Sequence, residues 1–561
     1  VAWNGASLLV LLGTLAGHLL YLLQDGRVPR DPGLYYKRLP DAFSWIGNPG
    51  ADSSALLPVL VESTGWYNLV AGAGLQFFGR SPEVFRALDV LWVGCVLVGA
   101  WWLARHLSGA AGGFAAIALL ASMPMVVLSG RTGWIHIPEA ALVLGVAVAW
   151  ARDPEMKGRA TVGAMAVLGS MAITLRPSGA TWLAAILPAL GWWFLRGGRW
   201  KTRSPHLVWA SWALALWVPL RNLGPYVEAK LDARTRYVEH LGDLGQQLTW
   251  VFGEGVMVLL GIGLALSLWK RSHPMKEIVV PLVAWPILSG VLWVLFRSGL
   301  DNFPLLGIGL AVLAGSGLGR AWALGALLPG IFWVFFSLPQ WLPLTMVRQH
   351  PVLQLATPLG ASTHMLNHYR SWRGFGREDV LQLLAATCPP FASGETCRIL
   401  VHQGLFQPFG EEPGDLELFL LELDTVEILD VRNLPPGLEN YPLHGAVEFR
   451  NCGRREEHWR SRFPRAAREF SEVVKATGLV SVWSRPLDKK CGVYWFAPKG
   501  GLTAYGTLPD TGTLHTVAGA ALSEPEEIEA PPRPRVRPSD IRKGRLPGER
   551  SEESGDGKEQ P

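Results

Sequence analysis

The chain predicts a polytopic α-helical membrane protein carrying a soluble α/β domain on its C-terminal side. Three observations lead there. About eleven apolar runs lie between residues 3 and 343, joined mostly by short loops, and a bilayer core of about 30 Å takes roughly 20 apolar residues per helix. Lys and Arg concentrate in alternate loops. Beyond about residue 345 the pattern turns water-soluble, which brings the mean hydropathy of all 561 residues down to +0.22.

The first run, Trp3–Leu23, is expected to be a retained helix, because residues 1–7 hold no Lys or Arg and no small-residue cleavage site precedes Asp25. A long loop, 24–81, follows with Asp25, Asp31, Asp41, Asp52 and Glu62. Its segment 55–79 is apolar but contains Glu62, Asn68 and several glycines, so a helix lying along the outer surface is expected. Reading it as a span would reverse every later loop. Further runs include Val84–Leu103, Phe114–Leu128, Ala140–Ala151 and Ile331–Leu342. Lipid offers no partner to unpaired backbone groups, so these runs must be helices packed as a bundle.

Charge sets the expected orientation. One set of alternate loops holds Arg105–His106, then Arg152, Lys157 and Arg159, then Arg196, Arg199, Lys201 and Arg203, then Lys270, Arg271 and Lys276, then Arg320. The intervening loops hold mostly single arginines, namely Arg131, Arg176, Arg221 and Arg297. The positive-inside rule makes the first set cytoplasmic. The N-terminus is then inside, and the 24–81 loop and C-terminal domain are outside.

Residues 1–345 thus form the membrane domain, 346–374 a polar connector, 375–520 the soluble α/β domain and 521–561 a disordered tail rich in Pro, Glu and Arg. In the soluble domain, Arg377–Ala386 and Glu457–Ala476 have helical spacing. Cys397–His402 and Val426–Val431 read as strands, and Val480–Ser484 with Cys491–Ala497 reads as a hairpin. Leu416–Leu421 is ambiguous between helix and strand. Strands alternating with helices suggest a partly parallel sheet. Cys388, Cys397, Cys452 and Cys491 all lie in this region while Cys95 lies in a span. Four cysteines suit an oxidising compartment, and Cys388–Cys397 with Cys452–Cys491 is one of three pairings. No G-x-G-x-x-G or P-loop pattern supports nucleotide binding, and no nucleic-acid partner is expected.

Two features could carry chemistry. Asp31, in RDPGLYYKRLP, follows the first span closely, where a carboxylate above the bilayer could take a proton from an attacking hydroxyl. Arg131, Arg176, Arg221 and Arg297 each mark a span end on the side where positive charge is disfavoured. Snorkelling anchors use this placement, and so does a pocket for a lipid phosphate, whose oxygens match guanidinium forks. Glu139, in RTGWIHIPEAAL, starts a span and needs a partner, for which Arg131 and His136 are the candidates. The one metal-like spacing, His364 and His368, lies in the connector and reads as a polar helix face.

The segment from Val61 to Pro124 resembles the GT-C fold membrane glycosyltransferases, closest to those using polyprenyl-phosphate sugars: protein O-mannosyltransferases, aminoarabinose transferases of lipid A and their bacterial relatives. The matching positions are Asp31, Ser63–Asn68, Phe77–Gly79, Arg86, Arg105–Gly109 and Ser122–Pro124, then SGRTGWIHIPEAAL and TLRPSGA. The family's Asp-Glu pair is reduced to Asp31–Pro32, its Lys is Ser63, and its late arginine is absent from Asp301–Pro304.

The resemblance implies a bacterial inner-membrane enzyme moving a sugar from a polyprenyl-phosphate carrier to a lipid, glycan or protein acceptor at the external face, with inversion. On that reading Asp31 is the general base, Arg176 and Arg297 hold the lipid phosphate, Arg131 with Glu139 shapes the pocket, and Glu62 contacts sugar or acceptor. Some relatives use a divalent metal, which leaves that question open here. The rival readings are a transporter or flippase of lipid-linked saccharide and an inactive scaffold of the same fold.

Overall fold

The computed structural model describes residues 2–24, 39–47, 56, 59, 64–79, 82–130, 135–187, 203–220, 244–269, 276–296, 303–321, 325–341, 377–388, 395–401, 426–430, 443–450, 464–486, 492–499 and 513–514. Its helical part comprises α1 (Ala2–Gln24), α2 (Leu39–Gly47), α3 (Gly65–Phe78), α4 (Pro82–Ala121), α5 (Pro124–Ser129), α6 (His136–Arg152), α7 (Arg159–Leu175) and α8 (Pro177–Ala184). It continues with α9 (Arg203–Ala215), α10 (Leu244–Phe252), α11 (Glu254–Trp269), α12 (Lys276–Phe296), α13 (Pro304–Ala321), α14 (Leu327–Trp341) and α15 (Arg377–Thr387).

Proline opens α4, α5, α8 and α13. It fits a first helical position, where its missing N–H would lack a partner anyway and its φ is already helical. The runs expected at Val84–Leu103 and Phe114–Leu128 are redistributed. α4 continues through Gly109, which breaks it at φ 82°, and Ser122–Pro124 then separates α4 from α5. Among the described residues, two helical stretches are long and apolar enough to cross a membrane, Ala2–Leu19 and Ala87–Ala121. Arg159–Leu175, Glu254–Trp269, Val279–Val294 and Pro304–Arg320 are shorter apolar helices.

Small residues set the closest helix contacts. A Cβ on Gly263 of α11 would lie 2.5 Å from the Ala314 carbonyl oxygen of α13, and one on Gly315 would lie 2.5 Å from the Ala116 nitrogen of α4. Gly317 meets the Gly263 backbone and Gly319 that of Gly112 in the same way. Where lipid removes the hydrophobic drive between helices, close backbone approach supplies the van der Waals energy.

These contacts also fix direction. Leu15 packs on Gly94 while Asn4 and Arg105 line one cavity, so α1 is antiparallel to the first half of α4. Gly130 meets Val93 and His18, while Leu144 packs on Gly99, so α6 runs parallel to that half. Arg105, Arg152 and Arg320 therefore share one end of the bundle, where the Arg320 guanidinium donates to the Leu107 carbonyl. His136, Glu139 and Arg176 lie at the other.

α3 falls within segment 55–79, where a helix is expected. It has 14 residues, about 21 Å, short of a bilayer. It buries Tyr67, Asn68, Ala71 and Leu75 and leaves Phe77 and Phe78 exposed.

The C-terminal region holds β1 (Cys397–Val401), β2 (Val426–Asp430), β3 (Gly445–Arg450), α16 (Pro464–Ala476), β4 (Leu479–Pro486), β5 (Gly492–Pro498) and β6 (Thr513–Leu514). The sheet order is β2-β1-β3-β5-β4-β6. β1 is parallel to β2 and β3, and the remaining pairs are antiparallel. This is the partly parallel sheet the sequence predicts, with β3 and β6 added. Phe470 and Val474 of α16 pack with Leu400, Ala446 and Phe496 to form its core. A disulfide joins Cys388 to Cys397. Cys452, Cys491, Leu416–Leu421, the connector with His364 and His368, and the tail lie outside the described residues, and the helix expected from Glu457 is described from Pro464.

Candidate functional site

The site is built on a helix break that the sequence encodes. α7 ends at Leu175, and Pro177 cannot continue it because it has no N–H and crowds the residue before it. Arg176 is accordingly extended, at φ −155° and ψ 146°, and serves as the N-cap of α8. α8 then doubles back so closely that a Cβ on Gly179 would overlap the Ala172 carbonyl. Only glycine fits there, so T-L-R-P-S-G specifies both the break and the direction in which the chain leaves it.

The Arg176 side chain meets the first turn of α6. His136 and Glu139, three residues apart, lie on one face of that turn and are both buried. An Arg176 Nη1 donates to His136 Nδ1. A guanidinium offers only donors, so the imidazole nitrogen is the accepting side of this contact. The same Nη1 stands 3.9 Å from Glu139 Oε2, and Ser178 Oγ donates to Glu139 Oε1 at 2.6 Å. The Trp182 side chain also hydrogen-bonds the carboxylate. Among the described residues, the cation facing Glu139 is Arg176, on α7–α8. A negative charge in a helix's first turn also meets the favourable end of its dipole. Glu139 is 2% exposed, whereas Arg176 retains 27% exposure. One guanidinium nitrogen is held by His136 and Glu139 while the side chain stays partly exposed.

Two neighbours extend the cluster. Thr64 donates its backbone N–H to the Thr174 carbonyl at 3.1 Å, and Trp66 Nε1 donates to Met171 O at 3.1 Å, tying the start of α3 to the end of α7. Thr64 has φ 69°, an unfavourable value for a β-branched residue. Asn68 steadies it by donating to its carbonyl and hydroxyl oxygens at 3.1 and 3.2 Å. On the other side, the Trp182 ring meets Phe303 edge-on at 5.9 Å, and Trp285 Nε1 donates to the Trp182 carbonyl at 3.2 Å. These contacts bring the middle of α12 and the residue before α13 to Trp182.

Of the six residues the sequence singles out, the structure brings Glu139 and Arg176 together. Asp31, Glu62, Arg131 and Arg297 lie outside the described residues. Sequence reading misses Ser178 and Trp182, whose partner is 39 or more positions away. It also misses His18 and Asp89, buried in α1 and α4 at this end; ionisable residues inside apolar runs were the available signal. Among the described residues, no three His, Cys, Asp or Glu side chains gather as metal ligands.

No protein-family model matches the sequence, and no curated protein matches it. Solved structures do. Aminoarabinose transferase ArnT from Cupriavidus metallidurans, in a crystal structure bound to undecaprenyl phosphate, superposes with a TM-score of 0.54 at 12% identity, covering 90% of this chain and 98% of that one. The same enzyme in the apo state gives 0.51 at 14% identity, covering 88% and 98%. The fold is GT-C. Agreement over nearly the full length of ArnT at so low an identity makes it a likeness of architecture, that of a polytopic helical membrane protein. An oligosaccharyltransferase from Archaeoglobus fulgidus, tethered to an acceptor peptide, gives 0.39 at 10% identity over 91% of this chain and 75% of that one, too low a score to carry weight.

Proposed function

We propose that this protein is a membrane glycosyltransferase that moves a sugar from a polyprenyl-phosphate carrier to an acceptor hydroxyl at the external face of a bacterial inner membrane. The observation that carries the reading is Arg176: a guanidinium at a helix break, braced by buried Glu139 and His136 and still partly open, in a fold shared with an enzyme crystallised with undecaprenyl phosphate. A departing lipid phosphate needs such a group, since a preorganised donor stabilises developing charge without reorganising during reaction.

In the proposed step the Asp31 carboxylate takes the proton of the acceptor hydroxyl as its oxygen bonds to the anomeric carbon. The bond from that carbon to the phosphate oxygen breaks on the opposite face, inverting the centre. Arg176 and Arg297 receive the charge left on the lipid phosphate, Arg131 with Glu139 shapes the pocket, and Glu62 contacts sugar or acceptor. Three relations support convergence. Glu62 precedes by two residues Thr64, which is bonded to Thr174. Arg131 follows Gly130, on which the His18 ring packs. Arg297 follows the last residue of α12. The basic end with Arg105, Arg152 and Arg320 is then cytoplasmic, and residues 375–520 form an external domain.

The test uses vesicles reconstituted with labelled polyprenyl-phosphate sugar. Asp31→Asn should lower transfer by about 10² to 10⁴, the range for losing a general base, with helix content unchanged. Undiminished transfer in D31N overturns the proposed mechanism. Movement of labelled lipid with no transfer by the wild type supports the flippase reading.

A further inference from the structure

At the bundle end opposite Arg176, a cavity of about 330 Å³ opens between α1 and both halves of α4. The Gly109 break creates it by letting the second half of α4 return beside the first, so that Ile117 joins Val98 and Trp101 in its wall. Leu8 and Leu11 of α1 form the opposite wall. Leu8 is 52% exposed and Val98 45% exposed, so the groove opens sideways, towards the lipid that surrounds a bundle of this fold. Its volume is that of a small-ligand site, and its lining is apolar except at one end.

That end carries Arg105. Its guanidinium lies 5.0 Å from the Trp101 ring centroid, and Trp101 in turn rests on Gly113, where a Cβ would come within 3.0 Å of the indole. Stacking on an aromatic face leaves the edge of the guanidinium, with its forked donors, available. Among the described residues that line it, none is acidic, and Asn4 and Ser7 are the other polar ones. Trp3, in ring contact with Phe114, and Trp102, stacked on His106 at 4.9 Å, mark the same level, as tryptophans do where a bilayer meets water. Arg320 and Arg152 share this end.

We propose that this groove is a binding site for one anionic glycerophospholipid, with an acyl chain along Leu8, Leu11, Val98 and Ile117 and its phosphate against Arg105. A polar rim without a cation would serve a zwitterionic lipid equally well. Charge complementarity selects the anionic one, because an Arg without a carboxylate neighbour in the lining keeps its full charge for the headgroup. The inference rests on the membrane fold and not on sugar transfer, so the two stand or fall separately.

Native mass spectrometry of the purified full-length protein, incubated with phosphatidylglycerol or phosphatidylcholine of equal chain length, tests it. The wild type should retain a phosphatidylglycerol adduct. Arg105→Gln should lower its occupancy about fivefold, the factor for one cation at a headgroup, bringing it down to that of phosphatidylcholine. Val98→Trp, which fills the groove, should abolish adducts of both lipids. Arg152→Gln, at the same end but outside the groove, should match the wild type. Thermal midpoints in lipid-free detergent check that each variant folds, and Val98→Trp decides the matter if Arg105→Gln does not. Equal retention of the two lipids by the wild type, an adduct unaffected by Val98→Trp, or equal losses in Arg105→Gln and Arg152→Gln would each overturn the proposal. So would displacement of phosphatidylglycerol by equimolar undecaprenyl phosphate, which would make the groove part of the carrier's path.

Discussion

Arg176 and Arg105 occupy opposite ends of one bundle and are held by opposite means. Arg176 sits on a helix break and is braced by a carboxylate, an imidazole and, through the carboxylate, a serine hydroxyl. Arg105 sits within a helix and is braced by an indole face alone. The first arrangement fixes where the guanidinium points, while its neighbour Glu139 offsets part of its charge. The second leaves the charge whole and the direction looser. Orientation is what a reacting phosphate needs, and undiminished charge is what a resident headgroup needs.

The comparison can be broken most severely at Glu139. Glu139→Ala strands the Arg176 charge and the Ser178 hydroxyl beside a cavity. Removing one partner of a buried ion pair costs about 3–5 kcal/mol, and the partial exposure of Arg176 puts this case at the low end. Glu139→Gln keeps an acceptor for Ser178 and should lose less. Thermal midpoints in detergent should rank wild type above Glu139→Gln above Glu139→Ala, and equal midpoints would mean that the carboxylate braces nothing.

Next in size is the contrast in transfer itself. Arg176→Ala should slow transfer by about 10² to 10³, the loss typical of one charge-stabilising donor, while Arg105→Ala leaves it within about twofold. Equal losses would show that the two arginines act through the same structural support.

The smallest expected effect concerns an imidazole beside the sheet. His444, before β3, accepts from the Arg398 backbone N–H through Nδ1 at 3.1 Å. Burial, and then the Arg398 charge, hold its pKa below the ordinary 6.5, with Glu395 opposing. A depressed histidine pKa means that the unfolded chain takes the proton first. Its contribution is complete above about pH 6.5 and is lost as pH falls through that value towards the folded pKa. His444→Asn should flatten the fall in thermal midpoint between about pH 7.5 and pH 5.5. An unchanged slope would show that His444 is not the titrating group.

Long apolar runs made α1, α4, α6 and α14 legible in the sequence, and short apolar runs did the same for β1, β2, β4 and β5. β3 (GAVEFR) was missed because its Glu448 is buried among sheet neighbours, against the pattern a charge normally gives. Arg176 was legible because a cation at a T-R-P break is out of place where positive charge is disfavoured. Its support was not, since Ser178 reaches Glu139 across 39 positions and only packing brings α6 to α8. Likewise the charge pattern suggested Arg131 or His136 as the partner of Glu139, and did not offer Arg176, which tertiary contact brings to it.

The glycine contacts among α4, α11 and α13 have a mechanical consequence. With backbones touching at Gly263, Gly315, Gly317 and Gly319, no side-chain layer remains between these helices to let one slide past another, and shear motion depends on such a layer. The three helices must travel as a single block. Any opening of the bundle therefore has to come from elements hinged around that block, and the Arg176 break is one place where the chain already bends.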